Sequence, residues 1–403
     1  MTAVENAKQR AGYTGRTVRA AVLVKHPAQH FAPGFRLLED NPEIHARVYF
    51  WDSATDGLFD RGFDRHVQWT TDLHSGYDWW APPAGKAWRR RLAVLGKLRK
   101  DRPDVLLCFG WASVIARLGI LFALLTKTPL LYYGDTNWHS SASGRHLRIR
   151  AFILRTLFRG AAGAVSTGTF NREFYIFHGL APQRIHPGVY PTDVESFSLA
   201  GESRRPTPSD GNDKPLVIGF AGKFLGIKGV DDLVAAASRL PRDRPWELWL
   251  IGDGPLRAHL EAIVDEHGLG GRVRFLGFRN TDEIPRLMSA IDVMVMPSRL
   301  EPRGLVAVEA MAAGAATIVS SATGLWGAGD IVQHEETGLV YPVRDVGALT
   351  GCLMRLMEDP ELREKLSTSG RARALSFGPR DFADTAAAAM VSTVRRGGRV
   401  ALP

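Results

Sequence analysis

Two carboxylates stand eight positions apart in PSRLEPRGLVAVEAMAAG (297–314): Glu301 and Glu309. The run before them, IDVMVMP (291–297), reads as a strand. The Ala/Val/Met stretch after them reads as a helix that starts at about Gly304 or Leu305 and ends near Gly314. Glu301 then falls in the loop above the helix start, and Glu309 a little more than a turn inside. The first amides of that helix, from Gly304, Leu305 and Val306, have no carbonyl partner, and with the helix dipole they suit a phosphate. Two acids would repel a phosphate. They make sense if each accepts hydrogen bonds from hydroxyls on either side of it, a sugar on one side and a ribose on the other. The ligand this implies is sugar–diphosphate–nucleoside.

A second segment supplies cations. GFAGKFLGIKG (219–229) follows a strand-like run and leads into DDLVAAASRL, so Lys223 and Lys228 lie on a strand-to-helix loop. Two ammonium groups there would neutralise a diphosphate, and glycines such as Gly222 let the backbone come close to it. Taken alone, the pair also reads as two solvated loop lysines. No GxxxxGK[ST] occurs, and IGDGPLRAHL, with Gly252 and Gly254, lacks the third glycine of a dinucleotide fingerprint.

Elements of both kinds must position these groups. Apolar runs alternate with helical stretches, which predicts an α/β chain with parallel sheets. The clearest strands are 18–25, 45–52, 104–110, 129–134 and 163–168, then 216–222, 246–252, 273–277, 292–297 and 316–321. The segment 199–215, LAGESRRPTPSDGNDKP, is poor in apolar residues and reads as a linker. At 403 residues the chain exceeds what one core usually organises. The expectation is two doubly wound, Rossmann-like domains, 1–198 and 216–377, with the ligand cleft between the carboxyl ends of their sheets. Residues 378–403 are expected to form a helix that returns to the first domain.

Composition limits the alternatives. The chain is 45% hydrophobic and 23% charged, as in an ordinary globular protein. Cys108 and Cys352 lack metal-type spacing, so no disulfide framework is expected and a reducing, cytoplasmic compartment is. The first residues lack the apolar core of a signal peptide, and the run IARLGILFALL (115–125) is too short to span a bilayer. The formal net charge is +9 and the pI about 9.7. Basic residues concentrate in KAWRRRLAVLGKLRK (86–100) and GRHLRIRAFILRTLFRG (144–160), which have roughly helical spacing. Such helices serve as solvated faces on a core or as contacts with an anionic membrane. No zinc-finger spacing or RNA-recognition signature accompanies the charge, which argues against nucleic acid.

The ordered set GK…KG, LIGDGPL, VRFLGF, PSRLEPRGLVAVEAMAAG and TGLVYP resembles family 4 of the retaining glycosyltransferases, with the GT-B fold. The resemblance is close over about 216–378 and weaker before it. It implies that Lys223 and Lys228 hold the donor diphosphate and stabilise the leaving group, that Glu301 contacts the transferred sugar, and that Glu309 binds the ribose. Phe278 would border the base. Arg303 stands where the family usually has Phe, so an extra cation would sit near the phosphates or face solvent. No DxD triplet occurs, which fits a leaving group stabilised by cations and a helix dipole, without metal or resident cofactor.

For the first domain the resemblance implies an acceptor site. Gly34 in KHPAQHFAPGFRLLED (25–40) would start a helix facing the diphosphate, with His26 and His30 as acceptor contacts. DTNWHSSASG (135–144) puts Asp135 where many relatives carry a His, a carboxylate that would accept the acceptor proton or cap a helix. Trp138 and His139 follow it, and Tyr77 lies in the aromatic loop WTTDLHSGYDWWAPP (69–83). The implied reaction is retaining hexosyl transfer from a nucleotide diphosphate sugar, UDP ahead of GDP, to an acceptor hydroxyl or amine of a glycan, a lipid-linked glycan or a small natural product. The competing reading is a nucleotide-sugar epimerase or another non-transferase enzyme of the same fold.

Overall fold

The computed structural model describes residues 16–53, 58–60, 65–67, 72–137, 147–203, 214–280 and 282–397. The chain divides into two compact units. The first takes residues 1–57, 69–191 and 379–403, and the second 58–68 and 192–378.

The strands of the first unit are β1 (Val18–Val24), β2 (Ile44–Phe50), β5 (Trp79–Trp80), β6 (Val105–Phe109), β7 (Leu130–Gly134), β8 (Gly163–Ser166) and β9 (Ile185–Pro187). The short antiparallel pair β3 (Leu58–Asp60) and β4 (Arg65–Val67) is grouped with the second unit. The first sheet has the order β5-β2-β1-β6-β7-β8-β9, every pairing parallel. Helices cover both faces, which is why its main strands are almost continuously apolar. One face carries α2 (Ala87–Asp101), α3 (Val114–Thr126), α4 (Leu147–Gly160) and α5 (Thr169–Phe177). Their residues Val94, Leu98, Ile115, Leu154, Phe158 and Phe174 form one core with Leu106, Cys108 and Tyr132 of the strands.

Neighbouring strand residues point the other way. Phe109 and Tyr133 meet Phe31 and Phe382, with ring centroids 4.9 to 6.4 Å apart. Phe31 caps α1 (Ala32–Glu39), and Phe382 belongs to α13 (Pro379–Arg395), which therefore packs in the first unit. Gly34 lies inside α1 and does not start it, because Pro33 occupies the first turn. A Cβ at Gly34 would stand 2.4 Å from the Phe382 ring, so the glycine here lets two helices approach.

In the second unit the sheet order is β12-β11-β10-β13-β14-β15, again parallel. These strands are β10 (Leu216–Ala221), β11 (Trp246–Ile251), β12 (Val273–Gly277), β13 (Val293–Met296), β14 (Ala316–Ser320) and β15 (Leu339–Tyr341). The helices are α6 (Val194–Ser203), α7 (Val230–Ala237), α8 (Arg257–Glu266), α9 (Ile284–Ser289), α10 (Leu305–Ala312), α11 (Val346–Glu358) and α12 (Pro360–Ala374). Helix α6 occupies residues that the sequence assigns to the first domain (194–198) and the linker (199–203). A Cβ at its Gly201 would stand 2.4 Å from the carbonyl of Ala313, a packing constraint that composition does not reveal. Residues 204–213 of the expected linker lie outside the described residues.

The order in each sheet reverses beside its central strand. From β10 the chain first builds outward to β11 and β12, then crosses to β13 on the other side. The carboxyl ends of β10 and β13 flank that switch point, where the loops diverge and leave room for a ligand.

Candidate functional site

The loop after β10 carries Lys223 and Lys228, and the loop after β13 carries Glu301. Both elements thus deliver their predicted residues to the switch point of the second sheet. The two loops are bonded along their length. The amides of Arg299 and Leu300 donate to the carbonyl of Ile227 at 2.7 and 3.3 Å. The Arg299 guanidinium donates to both carboxylate oxygens of Asp232 (2.6 and 3.0 Å), to Asp231 (2.7 Å) and to the carbonyl of Gly226 (3.0 Å). These bonds raise its pKa above the ordinary arginine value, Asp232 contributing most.

Gly229 completes the contact. Its φ of 64° is left-handed, and a Cβ there would stand 2.2 Å from the carbonyl oxygen of Pro297. With the loops this close, the Lys228 ammonium pairs with the Glu301 carboxylate. Glu301 is largely buried, and its backbone bridges to Thr323, with the Gly324 amide donating to its carbonyl at 2.8 Å. Lys223 is half-buried on the same loop.

Gly304 is the N-cap of α10, again left-handed (φ 63°), and a Cβ there would stand 2.5 Å from the Met296 sulfur. Leu305 and Val306 form the first turn, so the helix start falls where the sequence places it. In the loops after β10 and β11 the glycines interlock. A Cβ at Gly252 would stand 1.9 Å from the Gly222 carbonyl oxygen, and one at Gly254 2.8 Å from the Phe224 amide nitrogen. Phe278 follows β12 directly and is half-buried.

Of the two places the sequence offered Arg303, near the phosphates or in solvent, the structure rules out the second. Arg303 is buried, not solvent-facing, and its Nη1 donates to the carbonyl of Gly324 (3.0 Å) and to Asp330 (3.2 Å). Its Nη2 is buried with no hydrogen-bond partner among the described residues. Asp330 is itself 2% exposed, so this is an interior ion pair, and loss of either partner would strand the other charge.

Glu309 lies in the second turn of α10, where the Thr192 hydroxyl donates to its Oε1 at 3.2 Å. Part of its surface stays open, yet enough protein surrounds the carboxyl to push its pKa up to about 7. Burial is the main cause and Asp193 adds to it, while the Thr192 bond works against both. Thr192, Asp193, Arg299 and Asp330 were all missed in the sequence. Each is an ordinary polar residue, and each gains its role from a partner tens of positions away.

In the first unit the predicted residues are spread over several loops. His26 lies after β1 and is exposed, with Nδ1 3.1 Å from the Pro27 carbonyl. The His30 ring stacks on Tyr190 at 5.2 Å, and burial, with a smaller effect of His26, lowers its pKa to about 4. It is therefore neutral at pH 7, and its Nε2 has no hydrogen-bond partner among the described residues. The Tyr77 hydroxyl donates to the Leu73 carbonyl and stabilises its own loop. Asp135 follows β7 and is half-buried. Asn171 ties the neighbouring loops, donating to the Thr136 carbonyl (2.6 Å) and accepting from the Thr167 amide (3.1 Å). Trp138 and His139 lie outside the described residues.

Two parallel-sheet α/β domains of this kind define a GT-B glycosyltransferase fold, and solved chains share it. HepE of Anabaena, whose crystal structure holds UDP and glucose, matches with a TM-score of 0.66 at 19% identity, over 93% of this chain and 100% of that one. The family described as "Glycosyl transferases group 1" matches residues 204–373. The lipopolysaccharide core biosynthesis glycosyltransferase LpsD of Rhizobium meliloti is 38% identical over 332 residues, 80% of this chain and 87% of LpsD. The glycogen synthase of Mycobacterium tuberculosis is 27% identical over 321 residues, 78% of this chain and 74% of that protein. The chain belongs to the group 1 glycosyl transferases, and it is a glycosyltransferase.

The raised pKa of Glu309 has a sign that can be measured. Between about 4.5, its ordinary value, and about 7, the folded protein holds a proton that the unfolded chain has lost. The carboxyl's contribution to stability is thus full below that window and is lost as pH rises through 7. For a partly open group the loss should be about 1–3 kcal/mol. Urea unfolding of wild type and Glu309→Gln from pH 5 to 8 should show the difference between them changing by that amount, with Gln relatively favoured at high pH. A difference that does not vary with pH would mean that the carboxyl titrates normally.

Proposed function

We propose that the chain is a retaining, metal-independent glycosyltransferase of the family 4 type. It moves a hexosyl group from a nucleotide diphosphate sugar to a hydroxyl or amine of a glycan, a lipid-linked glycan or a small natural product. The observation that carries this reading is the Lys228–Glu301 pair at the switch point, immediately ahead of the α10 N-terminus. A cation, an acid and a helix start gathered there suit a ligand that is a diphosphate with a sugar attached. UDP is the first base to test, because HepE, which has the same fold, was solved with UDP. The competing epimerase reading has no relative behind it among those described above.

In the reaction the bond from the anomeric carbon to the diphosphate breaks, and its electron pair leaves with the phosphate. Lys228, Lys223 and the amides of Gly304, Leu305 and Val306 meet the charge that develops, in a setting organised before the substrate arrives. The acceptor attacks from the same face, forming the new bond with retention. Its proton passes to the departing phosphate oxygen, with Asp135 as the carboxylate assigned to help. Glu301 accepts hydrogen bonds from the transferred sugar, and Glu309 from the ribose. Gly222, Gly252 and Gly254 keep the floor of the site low, and Phe278 borders the base. Gly34, His26, His30, Tyr77, Trp138 and His139 are assigned to the acceptor side and its approach to the diphosphate. No resident cofactor takes part, and the setting is cytoplasmic, with peripheral contact at the inner membrane face.

Three substitutions should fail in three ways. Lys228→Ala should lower transfer by about 100- to 1,000-fold, the usual loss when one stabilising donor is removed. Glu309→Ala should weaken binding of bare UDP by about ten- to a hundredfold, the worth of a charged hydrogen-bond acceptor. Glu301→Ala should leave UDP affinity nearly intact while turnover falls, since its partner is absent from the product nucleotide. Calorimetric titration with UDP and a transfer assay separate these outcomes, and equal losses of UDP affinity in both acid variants would contradict the division of roles.

Transfer should also persist in excess EDTA. Activity abolished by chelation and restored by magnesium or manganese would overturn the account of the leaving group.

A further inference from the structure

Helices α2, α3 and α4 cover one face of the first sheet, with Val94, Leu98, Ile115, Leu154 and Phe158 turned into the core. Amphipathic helices in such a position should turn a polar face outward. These do not. On α4 the outer stripe is Ile149, Phe152 and Ile153, at the i, i+3, i+4 spacing, opposite Leu154 and Phe158. On α3 it is Leu121 and Leu125, one turn beyond the exposed Arg117. On α2 it is Trp88 and Leu92. Leu125 and Phe152 are 74% and 72% exposed, so these side chains are not partly covered edges of the core. Among the described residues, no helix of the second unit exposes more than one large apolar side chain.

The charges on the same helices are all positive but one. α3 and α4 contain arginine and no acid, and α2 has a single acid, Asp101, at its last position. Arg89, Arg91 and Arg155 are exposed among the apolar residues. A solvated helix face needs no exposed Phe, Ile and Leu, and a nucleic-acid face would not interleave its cations with aliphatic side chains. Cations alternating with large apolar groups match a surface that is anionic outside and hydrocarbon beneath. Monomeric proteins rarely leave a large apolar area open without a partner. No helix among the described residues is long and apolar enough to cross a membrane, so any such contact is peripheral.

We propose that the outer face of α2, α3 and α4 docks on an anionic lipid bilayer, with Phe152, Ile149 and Leu125 entering the headgroup region and the arginines meeting lipid phosphates. This identifies the membrane-contacting surface within the peripheral setting proposed above, and it holds whatever the donor sugar proves to be. A protein docked in this way would meet its acceptor at the membrane surface, as a lipid-linked glycan requires.

The test is sedimentation of the full chain with vesicles, without donor or acceptor, so that its result is independent of the transfer chemistry. Wild type should pellet with vesicles of phosphatidylcholine and phosphatidylglycerol in equal parts, and not with phosphatidylcholine alone. High salt should weaken the binding. The double variant Phe152→Ser/Leu125→Ser should lose about tenfold or more in vesicle affinity. Arg91→Glu/Arg155→Glu should lose at least as much, since each cation near the surface contributes roughly fivefold. Circular dichroism melts and donor hydrolysis should match wild type in both, which separates lost docking from lost folding. Failure of wild type to pellet with anionic vesicles would overturn the proposal, as would equal binding by the Phe152/Leu125 variant. A wild-type dimer that becomes monomeric in that variant would assign the face to a second copy of this chain and also overturn it.

Discussion

The Arg299 guanidinium ties together the two loops that carry the candidate site. It reaches from the loop after β13 to Asp231 and Asp232 at the start of α7 and to the carbonyl of Gly226. All three partners belong to the loop and helix that follow β10. In a parallel sheet these two loops leave the same edge with nothing in the ladder to hold them, because backbone pairing stops where the strands stop. A fork with several donors suits this position, since it bonds two carboxylates and a carbonyl at once. With the loops drawn together, by this fork and by the amides of Arg299 and Leu300 on the Ile227 carbonyl, Gly229 touches Pro297 and Lys228 meets Glu301.

The charges form two pairs with different purposes. Arg303 and Asp330 are both buried and tie the loop before α10 to the loop after β14, at a desolvation cost that only the intact pair offsets. Lys228 and Glu301 are more open, with side chains 25% and 11% exposed. Water and ligands can therefore compete for them. On the proposed reading, a diphosphate takes the ammonium from Glu301 and frees the carboxylate for sugar hydroxyls. The pair is then a resting arrangement that keeps both groups in place before the donor arrives. Glu309 is tuned differently. Burial presses it toward the neutral form, and only the Thr192 hydroxyl favours the charge. A ribose hydroxyl donating to it would act in the same direction as Thr192.

How much of this was legible depended on distance along the chain. The buried parallel strands were readable because sheets covered on both faces need apolar runs, and the predicted segments contain β1, β6, β7 and β10 whole. The start of α10 was readable from Gly304 and the apolar run after it. The two-residue strand Trp79–Trp80 and the three-residue Ile185–Pro187 were not, since neither is long enough to show a period. Helix α6 was partly taken for linker because LAGES has little apolar content, and its contact with Ala313 supplies what the sequence lacks. Gly34 was read as a helix start, although Pro33 begins the helix and Phe382 explains the glycine. The burial of Arg303 against Asp330 was not readable, because the two are 27 positions apart. The local elements were visible in the sequence, whereas the distant side-chain partners were supplied by the fold.

The central claim is that Arg299 fixes the two loops whose residues Lys228 and Glu301 the proposed function assigns to the donor. Calorimetric titration of Arg299→Gln with UDP, at a temperature where circular dichroism shows the variant folded, tests it most directly. The account predicts that UDP affinity falls by at least about tenfold, the scale of a lost multidentate charged contact, although the proposed function assigns Arg299 no contact with the ligand. UDP binding equal to that of wild type would show that the two loops keep their places without the arginine, and would contradict the account.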